Sequence, residues 1–548
     1  MDFFAEYRRQ LDDPARSPFG EYAEALEELC TRMSSMAGAC LRTLHSSDYP
    51  FEIALRPYYY MAALQYANVK HYPPPRDGDA VGLVPFNRLD EMFESTRDDP
   101  LHRILHPIVD AGRPRGAVEQ LLDDTPAGAI GRSAAGSTRK ASQPSSPLRL
   151  GLSLSLIGLE EAVLSLRGRG KIRLIRPRPS PGYGLDPDLR KRFLRGLSER
   201  AAALPPDSDA AGLLLASAAA LPTYYLEGFA DQLAAASALA DSLVGLVGGT
   251  DYHRHPQVAL LVPLLRARGR VTVGTQHGAV YGQTDPSWHE RAERALFERY
   301  LTWGYRHRPE DVPMAAIRMS RQRVGHVMQR TRRELFGPAT QATLVVLPCV
   351  HYALSYSIHS PSVNRQMESL RRTFEILAGS PAEAGPFVVR CHPRNRPEEY
   401  AEAVPESLRA RVSFARGFRG SLARDAHRYA EVVFANPNAT GLTECMANRV
   451  EFGIAADPSL CHIRPEARPV YDELIRARVW MTDPAARADY LARRAELAGL
   501  RREALARFAE QYALQGSGYL GQWSRFLSET YRTGLERVQG SAARNAPD

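Results

Sequence analysis

The sequence has 548 residues, 44% hydrophobic and 24% charged, with 70 basic against 62 acidic side chains and a formal charge of +8. That length is too great for one ordinary core and points to two domains, and the composition is that of a soluble globular protein. No basic run is interleaved with aromatic residues, which excludes nucleic acid as the expected partner, and the modest positive balance suits an anionic substrate or a membrane surface.

Lysine occurs only at Lys70, Lys140, Lys171 and Lys191, so the basic residues are almost all arginine. The six cysteines are scattered without CxxC pairs or metal-ligand spacing, and reduced thiols are expected. The N-terminus lacks a basic region followed by an apolar stretch, so no signal peptide is expected. The longest uncharged run, Ala210 to Leu226, is too short for a comfortable membrane span and contains Pro222. It reads as a buried core segment. The expected location is the cytoplasm, with peripheral association at the inner membrane left open.

In chain order, the first hundred residues read as mostly helical. Leu26, Leu29 and Met33 stand at helical spacing within Glu21 to Leu44, and Pro73-Pro74-Pro75 breaks the pattern. Thr125 to Pro147 is rich in Ser, Gly, Ala and Pro and is expected to be a flexible loop. The alternation Arg167, Arg169, Lys171, Arg173, Arg176, Arg178 fits a solvated strand face or a surface for anionic lipid or polymer. Val244 to Val247 and Val271 to Gly274 read as strands around a helix from Pro256 to Arg268, the alternation of a parallel sheet.

The second half repeats this alternation. Strands are expected at Thr343 to Leu347, Phe387 to Cys391, Val412 to Ala415, Val432 to Ala435 and Val450 to Ile454. Helices are expected near Asn364 to Leu377, Pro397 to Leu408, Ser421 to Tyr429 and Thr440 to Asn448, with two or three more in Pro484 to Leu535. Gly337 and Pro338 mark a junction near 336–341. The expected domains are an acceptor-side domain over 1–335 with its loop near 125–147, a nucleotide-sugar-binding domain over 336–500, and C-terminal helices over 501–548.

Three short motifs follow expected strands. Thr275-Gln276-His277-Gly278 puts an imidazole on an open turn, where it could serve as base or bond a phosphate, or simply cap the turn. Arg390-Cys391-His392-Pro393-Arg394 ends a strand at proline, so His392 and Arg394 could bond a diphosphate or carboxylate, or be surface residues of a turn. Asn436-Pro437-Asn438-Ala439-Thr440 opens a helix, with Asn438 or Thr440 at the N-cap position and Glu444 one turn further in. Its free N–H groups could hold phosphate, or the cap could serve helix stability alone.

The joint order of these motifs resembles bacterial glycosyltransferases of the GT-B architecture that use cytidine-activated donors. These include the capsule Kdo transferases, the polysialyltransferases and the CDP-glycerol glycerophosphotransferases. More closely, the chain is similar to a family of transferases from surface-carbohydrate gene clusters. The resemblance rests on Leu221 to Glu227, Gln276-His277-Gly278 with Tyr281-Gly282, Phe297 to Tyr305, His392-Pro393, Asp457 to Leu460, and Arg464 to Leu474. It spans roughly residues 220 to 495. Ala279 stands where the family usually has a second glycine, and Arg390-Cys391 where it has a lysine before His-Pro.

The resemblance implies an α/β, GT-B-like fold, with two Rossmann-like doubly wound domains facing a cleft, a helical N-terminal region and C-terminal helices. It implies transfer of a sugar, favoured as a CMP-linked nonulosonate or Kdo-type sugar, to a surface polysaccharide or lipid-linked glycan. His392, Arg394, Asn438, Thr440 and Glu444 would bind the nucleotide. Gln276, Gly278 and Tyr281 would touch substrate. His277 is the first choice of general base, with Glu227 and Asp251 as competitors. No cofactor and no metal are expected, because Asp186-Pro187-Asp188 and Asp207-Ser208-Asp209 read as loops. A polyol-phosphate transferase or a non-catalytic scaffold of polysaccharide assembly remain the alternatives.

Overall fold

The computed structural model describes residues 3–5, 19–71, 104–105, 108–109, 114–125, 148–153, 163–164, 166–176, 182–205, 208–284, 287–316, 327–348, 363–391, 397–415, 422–437, 439–461, 463–514 and 518–544. The chain forms two compact units. One comprises Met1–Thr275, Trp288–Tyr300 and Trp523–Asp548, the other Gln276–Ser287 and Leu301–Gln522. Residues 276–335, expected in the first domain, thus divide between the units, and so does the stretch after residue 501. Apart from Thr125, the expected loop near 125–147 lies outside the described residues.

The first unit opens on the helices Phe19–His45 and Arg56–His71. The buried stripe of the first is Leu26, Cys30, Met33 and Ala37, while Leu29 is only half-buried. The uncharged run is core as expected. It forms the helix Asp209–Ala220, buried from Gly212 to Ala220 and capped by Ser208, whose Oγ accepts from the Ala211 N–H. Asp186 likewise caps the helix Pro187–Ala201 through the Leu189 N–H. Asp186, Asp188, Ser208 and Asp209 therefore belong to helix starts rather than loops, because an extended Asp or Ser beside the first turn supplies the missing acceptor. Among the described residues, no helix is long and apolar enough to cross a membrane.

The fold class is the expected one, α/β with two parallel six-stranded sheets. The first contains β1 (Arg149–Ser153), β2 (Ile172–Leu174), β3 (Leu243–Gly248), β4 (Val271–Thr275), β5 (Arg299–Thr302) and β6 (Asp311–Pro313), in the order β2-β1-β3-β4-β5-β6. β1 pairs in parallel with both β2 and β3, and β3 with β4. β3 is buried along its whole length, which explains its unbroken apolar sequence. Gly245 lets it approach β4, since a Cβ there would lie 2.4 Å from the Val271 carbonyl oxygen. Only Ile172–Leu174 of the basic alternation is strand. Arg169 sits in a turn at φ +46°, and Arg178 lies outside the described residues.

The second sheet contains β7 (Thr340–Val346), β8 (Phe387–Arg390), β9 (Val412–Ala415), β10 (Tyr429–Phe434), β11 (Phe452–Ala455) and β12 (Trp480–Met481), in the order β12-β11-β10-β7-β8-β9. All five pairings are parallel. This is the doubly wound order of dinucleotide-binding folds. Helix Val363–Ala378 covers it with Leu370, Phe374 and Leu377. The helix expected over Pro397 to Leu408 splits into Pro397–Ala401 and Glu406–Arg409, because Pro405 cannot continue the first. The one expected over Ser421 to Tyr429 shortens to Leu422–Ala426, since β10 already begins at Tyr429.

In each sheet the winding reverses once, between β1 and β3 in the first and between β7 and β10 in the second. Loops leaving the carboxyl ends of strands diverge at such a reversal and open a crevice for ligands.

Candidate functional site

At the reversal in the second sheet, β10 runs through Ala435-Asn436-Pro437 toward the helix Thr440–Ala447. The N-cap is Ala439, not Asn438 or Thr440, and among the described residues no side chain caps the helix. Thr440 is already helical, and its Oγ accepts from the Ala279 N–H at 3.3 Å instead of from its own first turn. First-turn N–H groups without a side-chain acceptor, together with the helix dipole, suit a phosphate. Gly441 keeps this turn tight, since a Cβ would lie 2.5 Å from Leu422 Cδ2 and 2.8 Å from the Phe434 ring.

The bond to Ala279 brings together two motifs separated by about 160 positions. Gln276–Ser287 follows β4 in the chain but belongs to the second unit. Gln276 is buried and pins this loop from within. Its N–H donates to the Leu301 carbonyl, its Nε2 donates to the Gly278 carbonyl at 2.8 Å, and its Oε1 accepts from the Trp303 N–H at 2.7 Å. Its side chain is thus engaged in holding the loop. His277 is half-buried, with Nδ1 2.8 Å from the Tyr281 hydroxyl. Tyr471 donates to Gln283 and bonds the Pro437 carbonyl at 3.0 Å, a second tie between loop and helix approach.

The two glycines of the loop differ. Gly282 has φ +73°, and a Cβ there would meet the Tyr305 ring at 2.7 Å, so the fold itself demands glycine. At Gly278 a Cβ would find only ordinary contacts, 3.8 Å to Val280 and 3.9 Å to Thr440 Oγ, on backbone that any residue adopts. Gly278→Ala is therefore expected to change stability by less than about 0.5 kcal/mol. If the Gly278 backbone faces a bound nucleotide, the same methyl should weaken affinity about tenfold. Thermal melts and calorimetric titration of the variant check both, and unchanged affinity would remove Gly278 from the ligand's surroundings.

Of the remaining nucleotide-binding candidates, Glu444 is buried within the helix, and its carbonyl accepts from the Asn448 N–H and side-chain amide. Burial, with the Glu444 charge adding, pushes the neighbouring Cys445 thiol well up. His392, Arg394 and Asn438 lie outside the described residues. Arg390, which ends β8, is tied to Asp425 at 2.9 Å. Sequence reasoning missed Asn436. It is 6% exposed, and among the described residues its amide oxygen has no hydrogen-bond partner. A polar residue two positions past the end of a buried strand was its one sequence signal.

The first sheet presents its own arrangement at the β1/β3 reversal. Ser153 ends β1, fully buried, opposite Gly248 of β3. Its carbonyl accepts from the Gly249 N–H, and its hydroxyl donates to Asp251 Oδ2 at 2.6 Å. Asp251 thus stands just past a strand end with one carboxylate oxygen oriented. Ser153 was not among the expected site residues.

Glu227 is different. It follows the short turn Thr223–Tyr225 rather than a strand, and Arg190 takes both its oxygens, Nε at 2.7 Å and Nη2 at 3.1 Å, with the pair 1% and 6% exposed. Arg190 also donates to the carbonyls of Ala218, Ala219 and Leu221. The carboxylate is occupied in closing the end of the Asp209–Ala220 helix, so Glu227 is not a strand-end acid.

Among the described residues, no group of three or more His, Cys, Asp or Glu side chains could hold a metal ion. Residues 165–527, about two thirds of the chain, match the model of the LIC12162 family transferases. No curated protein sequence matches the chain. Among solved structures it is similar to MnaA of S. aureus with UDP, at 8% identity over 69% of this chain and 94% of that one, with a TM-score of 0.36. It is similar also to MurG of Acinetobacter baumannii, at 11% identity over 70% and 100%, with a TM-score of 0.33. A third, the wall teichoic acid polymerase TagF, gives 8% identity over 79% and 97%, with a TM-score of 0.32. These likenesses are too distant to carry an argument.

Proposed function

Because this chain belongs to the LIC12162 family of transferases, we propose that it moves a sugar from a nucleotide-activated donor to a glycan or lipid-linked glycan of a bacterial surface polysaccharide. The observation that carries this reading is the start of the Thr440–Ala447 helix. Among the described residues it has no side-chain cap, and it stands at the winding reversal of a dinucleotide-type sheet, with the His277 loop bonded to it through Thr440. Such a site takes the phosphates of a nucleotide. His392, Arg394 and Asn438 complete the nucleotide site in this proposal, Glu444 serves the ribose, and Gly278 and Tyr281 border the substrate. The favoured donor is a CMP-linked nonulosonate or Kdo-type sugar.

The reaction is a direct displacement. The acceptor hydroxyl oxygen bonds the anomeric carbon, the bond from that carbon to the phosphate oxygen breaks, and the electron pair leaves with the nucleotide. First-turn N–H groups and Arg394 neutralise the charge arriving on the phosphate. The acceptor proton goes to Asp251, whose other oxygen Ser153 holds. His277, bonded to Tyr281 in the nucleotide-binding unit, is assigned to the leaving phosphate rather than to the base role. No metal takes part.

The test is thermal stability of the protein against CMP, CDP, UDP, GDP and ADP. One nucleotide should stabilise it, by about 2.7 kcal/mol at a concentration 100 times its Kd, and Thr440→Ala should abolish the effect. Absence of any shift would sink the reading in favour of a scaffold. Mass spectrometry of the product decides whether sugar or polyol phosphate was transferred.

A further inference from the structure

We infer that the helix Val327–Phe336 is a docking surface for an anionic phospholipid membrane. Six large hydrophobic side chains are exposed among the described residues, and four of them stand on this one ten-residue helix: Val327 at 43%, Met328 at 81%, Leu335 at 69% and Phe336 at 80%. At about 100° per residue, Leu335, Met328, Arg332 and Phe336 share an arc of about 100°. That is a continuous face, not a scatter of single apolar residues of the kind any surface carries.

The helix is also held in place. Arg333, outside that arc, donates to the carbonyls of Ala426, His427, Tyr429 and Ala430, four acceptors around the start of β10. The apolar face is therefore presented by an anchored element, with its polar side turned to the second unit's own backbone.

Charge selects the occupant. Within the arc the one charged side chain is Arg332, and the helix's one carboxylate, Glu334, lies outside the arc beside Arg330 at 3.5 Å. A convex strip of Met, Leu and Phe with an arginine among them matches the headgroup boundary of an anionic bilayer, where the alkyl groups insert and the guanidinium reaches phosphate. A second copy of the chain fits worse, since a two-fold contact through this face would set Arg332 against its own counterpart. The Arg167 to Arg176 region lacks this character. Among the described residues, its exposed Arg167, Arg169, Lys171, Arg173 and Arg176 accompany one exposed large hydrophobic residue, Leu166. The inference is independent of the transferase reading, because it rests on a face remote in sequence from the nucleotide-site residues.

The experiment is co-sedimentation of the full chain with phosphatidylcholine vesicles with and without phosphatidylglycerol. The wild type should partition onto the anionic vesicles, less so as salt rises. The triple variant Met328→Ser, Leu335→Ser, Phe336→Ser should bind about tenfold more weakly or worse, with an unchanged thermal melt because all three side chains are exposed. Arg332→Glu should weaken binding to the anionic vesicles only. The inference is overturned by a wild type that stays in the supernatant, by a triple variant that binds like the wild type, or by binding lost only on replacing Arg169, Lys171 and Arg173. It is equally overturned if the triple variant abolishes a solution dimer while vesicle binding is absent. Nucleotide stabilisation of the same samples reads the transferase site separately, so either idea can fail alone.

Discussion

Asp251→Asn should lower turnover by about two to four orders of magnitude while leaving nucleotide binding untouched. The amide keeps the shape of the carboxylate and can still accept from the Ser153 hydroxyl, which lies 2.6 Å away in the native chain. It cannot take a proton from an acceptor hydroxyl. Nucleotide-dependent stabilisation should persist, because the Thr440 helix and the His277 loop belong to the other unit. Ser153→Ala should give a smaller fall in turnover, since it frees the carboxylate to turn without removing it. A fully active Asp251→Asn enzyme would eliminate Asp251 as base and return the role to His277.

Glu227→Gln should produce the opposite pattern, a large loss of stability. The native carboxylate and Arg190 are both buried, and the guanidinium is already bonded to three backbone carbonyls. Neutralising one partner leaves the other charge buried and uncompensated, at a cost of about 3–5 kcal/mol. Urea unfolding of the first unit should shift accordingly, and residual folded enzyme should turn over at the native rate. A variant with native stability and no activity would make Glu227 a catalytic acid after all.

How far the sequence carried can be judged element by element. β3, β4 and the helix between them were visible because a parallel strand covered on both faces is a nearly unbroken apolar run. In the second sheet the same reason made β7, β10 and β11 visible, whereas β8 and the edge strand β9 are only partly buried and stood out by their valines and phenylalanines. β1 and β2 were not visible, since Arg149–Ser153 opens on an arginine close behind the Ser- and Pro-rich stretch and Ile172–Leu174 is set among arginines that pattern like solvent-facing side chains. The helix at Thr440 was found from its sequence. Its cap was misplaced, because Thr440 bonds Ala279, a residue whose proximity depends on how the chain returns after β4. Ser153 and Asp251 meet for a similar reason. Their contact depends on β1 lying beside β3, an order of strands that local pattern does not encode. Glu227 misled because a short apolar segment before an acid looks alike whether it is a strand or a tight turn.

The routing of the chain bears on how the protein is made. The backbone passes between the two units four times, after Thr275, Ser287, Tyr300 and Gln522. The last passage returns the helix Tyr519–Arg544 to the first unit, where Gly534 comes so near β3 that a Cβ would lie 2.8 Å from the Val244 carbonyl oxygen. Arg537 there pairs with Glu298 at 2.7 Å. During synthesis the first unit therefore waits for its closing helix while all of the second emerges. Ordinary amino-terminal-first maturation on the ribosome gives way to an interleaved assembly, in which the earliest-made half is the last to be finished.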